Sequence, residues 1–133
     1  MSNIDIVKSY GDWLGKTDWD YFSTFTYRFD IKQKQNERLM SGLRENLNSS
    51  TLSPLIFYVT EYTNYSYNTH NHMLIKGDGV KDRVESYFRD KNLLYGNVVH
   101  YPYEKSLGAN YFVTKYIVSD KIEYDIIKTP TKK

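Results

Sequence analysis

The order in which two kinds of apolar spacing follow one another restricts the fold of this chain more than any other feature. Tyr21 to Arg28 is aromatic and β-branched with period-two alternation, which predicts a strand. From Phe29 to Asn48 the period lengthens: Ile31, Leu39, Leu43 and Leu47 stand four or eight apart with Met40 beside them, the stripe of a helix. Ser49 to Pro54 is a turn cluster, and Leu55 to Tyr62, rich in Ile, Phe, Tyr and Val, is a second strand. The polar segment Thr63 to Thr69 suits a loop, and His70 to Lys76, apolar at Met73, Leu74 and Ile75, is a third strand hairpinned to the second. After the turn Gly77-Asp78-Gly79, the residues Val80, Val84, Tyr87 and Phe88 predict a helix over Val80 to Lys91. Asn97 to Tyr103 reads as a fourth strand, Leu107 to Val118 as a last helix and Ile122 to Ile127 as a short further strand. A first helix, Ser2 to Leu14, precedes them all and ends near Gly11 or Gly15, and the end of the chain, residues 128–133 with Pro130 and the lysines after it, reads as a frayed tail.

Strand, helix, strand, strand, helix, strand, helix is an α+β order. It predicts an antiparallel sheet of four to five strands with helices against one face, in the ferredoxin-like family of connections. The 133 residues are expected to form one domain, with no room for a fused ATPase or helicase. No apolar run approaches the ~18 residues that span a bilayer, and no signal-peptide pattern opens the chain. The expected location is therefore the cytoplasm, and no membrane partner is expected. Cysteine is absent, which excludes disulfides, thiolate metal sites and cysteine nucleophiles. A net charge of +2 is too balanced to identify a nucleic-acid protein by electrostatics alone.

The chemistry has to come from particular side chains. His70 and His72 are two apart in a strand, so both imidazoles point to one face. Two such rings can hold a divalent cation through neutral nitrogens; the alternative is a pair of surface histidines beside a polar loop. Glu61 stands nine positions before His70, near the end of the preceding strand, and a hairpin brings it within cross-strand reach. A carboxylate joining two imidazoles leaves open positions for substrate oxygens, which suits Mn²⁺ or Mg²⁺ at a phosphate better than a closed zinc site. Otherwise Glu61 is an ordinary exposed carboxylate. In the last helix Tyr111 and Lys115 are about 40° apart around the axis, while Phe112 and Tyr116, flanked by Ala109 and Val113, form the core stripe. A tyrosine with a lysine one turn below can attack a phosphodiester, the ammonium balancing the developing charge. Among 14 tyrosines that spacing also arises by coincidence.

Taken together these residues resemble the motifs of the HUH endonucleases, the replication-initiator (Rep) branch in particular. The aromatic and Thr-rich run Phe22-Ser23-Thr24-Phe25-Thr26-Tyr27 resembles the first-strand motif. His70-Asn71-His72 resembles the His-hydrophobic-His motif, with Asn71 in place of the usual hydrophobic residue at a position pointing away from the metal face. Tyr111-Phe112-Val113-Thr114-Lys115 resembles the Tyr-hydrophobic-x-x-Lys motif. The motifs run from residue 22 to 115, and the small size, lack of cysteine and Asn/Tyr/Ile-rich composition look most like the compact Reps of archaeal rod-shaped viruses (rudiviruses).

The resemblance implies a DNA nickase and ligase that initiates viral or plasmid replication. His70, His72 and Glu61 would hold the metal. Tyr111 would attack the scissile phosphate to leave a 5′-phosphotyrosyl enzyme and a free 3′-hydroxyl, and Lys115 would contact phosphate or position the phenolate. Tyr116 lies on another side of the helix, so one nucleophile per chain is expected, and a second cleavage would come from a homodimer. Strand separation and synthesis would come from a helicase and polymerase supplied in trans, or the enzyme would act on DNA already single-stranded. Arg28 and Tyr27, at the end of the first strand, join Lys115 as nucleic-acid contacts.

Blander roles are expected elsewhere. His100 reads as a structural histidine, Lys32, Lys34 and Arg38 as a solvated helix face, and Trp13 and Trp19 as core or docking residues. Tyr62, Tyr65 and Tyr67 can stack on exposed bases. Two other functions compete. A single-strand HUH transposase shares the histidines and the helical tyrosine, though Lys115 stands where such transposases often have glutamine. A non-catalytic RRM-like module would bind single-stranded RNA or DNA through sheet aromatics, for which the first strand offers Tyr21, Phe22, Phe25 and Tyr27.

Overall fold

The structure, a computed structural model, describes residues 3–62, 69–96, 98–104 and 122–128. Within them the chain forms α1 (Asn3–Leu14), β1 (Tyr21–Thr26), α2 (Gln33–Asn48), β2 (Leu55–Glu61), β3 (His70–Lys76), α3 (Val80–Asp90), β4 (Val99–Pro102) and β5 (Ile122–Lys128). The strands form one sheet in the order β4-β1-β3-β2-β5, and every neighbouring pair is antiparallel. Because β3 lies between β1 and β2, and β1 between β3 and β4, α2 and α3 each carry the chain across one intervening strand. That is the ferredoxin-like connection, used twice. It is extended on the outer side of β2 by β5, a full seven-residue strand. The expected helix Leu107–Val118, with Tyr111 and Lys115, lies outside the described residues, as do Tyr65, Tyr67 and the tail.

Strand alternation divides the sheet residues between two cores. On one face Phe25, Tyr27, Ile56, Tyr58, Met73, Ile75 and Ile127 pack against Met40, Leu43 and Leu47 of α2 and Val80, Val84, Tyr87 and Phe88 of α3. The α3 stripe consists of the four residues that its spacing predicts. On the other face Phe57, Val59 and Leu74 pack with Leu14, at the end of α1, and with Trp19. The sheet is therefore covered on both faces rather than one, which is why β2 and β3 are buried at all but their terminal positions. Trp19 Nε1 donates to the Leu14 carbonyl at 2.8 Å and satisfies a carbonyl left open where α1 ends. Trp13, by contrast, is 47% exposed and joins no core.

Two local features set how the helices sit. α2 starts at Gln33, four residues later than the apolar spacing predicts. The chain before it is held by Thr69, whose carbonyl accepts from Tyr27 N and whose hydroxyl accepts from Ile31 N. Lys32 is consequently extended, and its N–H donates to Gln35 Oε1 at 3.1 Å, half of a capping box. α2 and α3 approach closely at Gly42, where a Cβ would collide with the Tyr87 hydroxyl. That hydroxyl donates instead to the Leu39 carbonyl at 2.8 Å.

Candidate functional site

The register of β3 between its two neighbours assembles the histidine face. Thr24 stands opposite His72 and Thr26 opposite His70 on β1; on β2, Val59 stands opposite His72 and Glu61 opposite His70. Residues opposite one another in an antiparallel pair share a face, so Thr24, Thr26, His70, His72 and Glu61 converge on the face away from α2 and α3. Each ring is held at the same nitrogen. Thr24 Oγ1 lies 3.2 Å from His72 Nδ1, and Thr26 Oγ1 lies 3.1 Å from His70 Nδ1. The two rings are nearly parallel, 23° apart in plane with centroids 6.2 Å apart, so both turn Nε2 away from β1. His72 Nε2 comes to 3.6 Å from Glu61 Oε2. The Phe22 ring lies with its centroid 6.4 Å from that of His72, and Val59 stands opposite His72 on β2.

Imidazole nitrogens and a carboxylate oxygen form a donor set suited to Mn²⁺ or Mg²⁺. Threonine hydroxyls at Nδ1 are the outer partners that orient ligating rings. The close pair is His72 with Glu61. Among the described residues, no three His, Cys, Asp or Glu side chains already converge as a metal-binding group. The residue types and their common face fit a divalent cation.

Asn71, between the histidines, faces the opposite way and is completely buried in the α2/α3 core. Its amide nitrogen donates to Tyr27 Oη at 2.7 Å and its oxygen accepts from Thr60 Oγ1 at 3.3 Å. Its polar groups are thus paired within the core, on the side of β3 opposite the histidines.

Tyr27 has to be corrected. It is not a surface residue open to nucleic acid: it is 0% exposed, its ring lies against Phe88, and burial pushes its phenol well above the ordinary value. The reason is parity. Tyr21, Phe25 and Tyr27 all fall on the helix side of the sheet, and of the four aromatics assigned to an RRM-like surface only Phe22 lies on the other face. Tyr62 is partly buried against the same helix-side core. Arg28 remains exposed, its Nη1 donating to Asn92 Oδ1 at 2.7 Å. Lys32, Lys34 and Arg38 lie exposed, as expected.

His100 is a structural histidine held from two sides. Its Nδ1 lies 2.6 Å from Ser23 Oγ and its Nε2 2.7 Å from Glu85 Oε1. Burial pushes the Glu85 carboxyl up, but hydrogen bonds from His100 and Arg89, together with their charges, outweigh it and leave the carboxyl below its ordinary value. A serine, a histidine and a carboxylate in a line have the form of a nucleophilic triad, but Ser23 is completely buried and no substrate can reach it.

Sequence reasoning overlooked the partners rather than the centre. Thr24 and Thr26 were signalled by their i, i+2 spacing in β1, which matches that of the histidines. Asn36 and Thr60, which complete the hydrogen bonding behind Asn71, carry no signal in an apolar pattern. No protein-family model, no curated protein and no solved structure matches this chain.

Proposed function

We propose that this protein nicks and rejoins single-stranded DNA through a tyrosine nucleophile, with a divalent cation at the histidine face, and so initiates replication of a viral or plasmid genome. The observation that supports the reading best is the common presentation of two imidazoles. His70 and His72 are each held at Nδ1 by a threonine of β1, with Glu61 at 3.6 Å from His72. A purely structural pair of surface histidines has no need of two matched outer partners.

His70, His72 and Glu61 would hold Mn²⁺ or Mg²⁺, which when bound offsets the charge of the scissile phosphate. The Tyr111 oxygen, having given up its proton, attacks phosphorus. A tyrosyl–phosphorus bond forms, the bond from phosphorus to the 3′ oxygen breaks, and that oxygen takes a proton to become a free 3′-hydroxyl. The reverse reaction rejoins the ends. Lys115 balances charge beside the phenolate, Arg28 contacts backbone phosphate, and a second copy of the chain supplies a second nucleophile when two cuts are needed. The aromatics that an RRM-like module would use do not share one face: Phe25 and Tyr27 belong to the helix-side core, and Phe22 packs on the other side.

The test is to incubate the protein with labelled single-stranded oligonucleotides and Mn²⁺ and to look for a covalent adduct on a denaturing gel. The adduct is expected to vanish with chelator, with Tyr111→Phe, and with His70→Ala and His72→Ala combined. Persistence in Tyr111→Phe would assign attack to a different residue. Binding without any adduct would return the protein to the non-catalytic class.

A further inference from the structure

Behind the histidines, on the other side of β3, four fully buried polar side chains close on one another. Tyr27 Oη donates to Asn36 Oδ1 at 3.2 Å, and Asn36 Nδ2 donates to Thr60 Oγ1 at 3.1 Å. Thr60 Oγ1 donates to Asn71 Oδ1 at 3.3 Å, and Asn71 Nδ2 returns to Tyr27 Oη at 2.7 Å. The direction of every bond follows from the chemistry. Each amide oxygen only accepts, each amide nitrogen only donates, and each hydroxyl here gives its one proton and receives one. The members come from the end of β1, from α2, from β2 and from β3, so the ring joins the three central strands to the helix that crosses them.

A closed ring of this kind is compatible with one strand register. If β3 slipped by one residue, Asn71 would turn to the outer face and an imidazole would enter the core in its place. Tyr27, Asn36 and Thr60 would then be left with unmatched buried donors and acceptors. An apolar residue at position 71 would fill the same space but leave Tyr27 and Thr60 without a hydrogen-bond partner there.

We propose that the Tyr27–Asn36–Thr60–Asn71 ring is the positioning device for the imidazole pair. Asn71 is the pin that holds β3 where Thr26 meets His70, Thr24 meets His72 and Glu61 stands opposite His70. The ring members touch no substrate; they act through the strand that carries the rings. The inference concerns how the rings are held and stands whether or not the protein nicks DNA.

The experiment uses nuclear magnetic resonance on the full chain, without metal or DNA. In the wild type, the Tyr27 hydroxyl proton and the Asn71 side-chain amide protons are expected to exchange slowly enough to be observed. The contacts read are the cross-peaks from the Thr24 and Thr26 methyls to the His72 and His70 rings, together with the imidazole nitrogen shifts that report each tautomer. Thr60→Val, which keeps the shape and removes the hydroxyl, is expected to reduce both cross-peaks by at least half and to mix the tautomers. Thr60→Ser is expected to restore them, while the Ser23–His100 contact stays unchanged throughout as an internal reference. Lower thermal stability in Thr60→Val with unchanged histidine signals would assign the ring to stability alone and overturn the proposal. If Thr60→Val does not fold, Tyr27→Phe is read in the same way. Fast exchange of the Tyr27 and Asn71 protons in the wild type would overturn the proposal by itself.

Discussion

Thr24 and Thr26 bring hydroxyls to 3.2 and 3.1 Å from the Nδ1 atoms of His72 and His70, and this contact governs what the rings can do. A partner at Nδ1 fixes the plane of an imidazole and so the direction in which Nε2 is presented. Outer partners of this kind typically change metal affinity by about 10- to 100-fold. Thr24→Val and Thr26→Val keep the β-branched shape and remove only the oxygen. At the proposed cation site each is expected to weaken Mn²⁺ binding about tenfold or more, measured by titration calorimetry, with little change in melting temperature; unchanged affinity would mean that the rings are oriented by packing alone. At this scale the histidines and Glu61 were legible because strand parity and hairpin reach are geometric consequences of spacing. Tyr27 was not. β1 carries aromatic residues on both parities, Tyr21 and Phe25 on one and Phe22 on the other, and neither parity is exposed, so no polar phase marks which side faces water. Asn36 and Asn71 were hidden for a related reason: an apolar stripe cannot announce a buried amide, whose burial depends on partners 9 to 44 residues away.

Among the elements, α3 was the most legible, since all four of its buried residues are apolar and helically spaced. The start of α2 was not, because the contact that keeps Ile31 and Lys32 out of the helix comes from Thr69, 38 residues from Ile31. β5 shows a further element-level feature. An outermost strand that leaves backbone groups open invites another strand to pair with it. Here the Ile126 N–H donates to Asp125 Oδ1 at 2.7 Å, and the Ile126 carbonyl accepts from Arg44 Nη2 at 3.1 Å. Arg44 also reaches Asp125 at 3.3 Å, so one arginine from α2 covers the middle of this strand. As an exposed ion pair it adds little to stability, below about 1 kcal/mol. Its larger effect is on association. Arg44→Ala is expected to leave the melting temperature nearly unchanged while raising concentration-dependent self-association, measured by sedimentation velocity. No increase in association would show that other features of β5 already block pairing.

At the scale of the whole molecule, the alternation of strands and helices was sufficient to predict an antiparallel α+β sheet, because few connections are compatible with that order. It did not show that the second sheet face is covered, since that depends on where Leu14 and Trp19 return after α1. Both apolar clusters draw on the same strands: Ile56, Tyr58, Met73 and Ile75 face α2 and α3, and Phe57, Val59 and Leu74 face Leu14 and Trp19. Neither cluster can lose its sheet residues without exposing those of the other, so the two layers should unfold together. The two tryptophans allow a direct check, because Trp19 is 6% exposed and Trp13 is 47% exposed. In Trp13→Phe the remaining tryptophan fluorescence reports the Trp19 face alone, whereas α2 and α3 supply most of the helical circular dichroism signal of the described helices. The urea transitions followed by the two signals are expected to coincide, with a common slope of about 1–3 kcal/mol per molar urea. An earlier fluorescence transition would mean that the layer formed by α1 and Trp19 detaches while the ferredoxin-like core stays folded, which would leave the histidine face open to solvent before the sheet itself is lost.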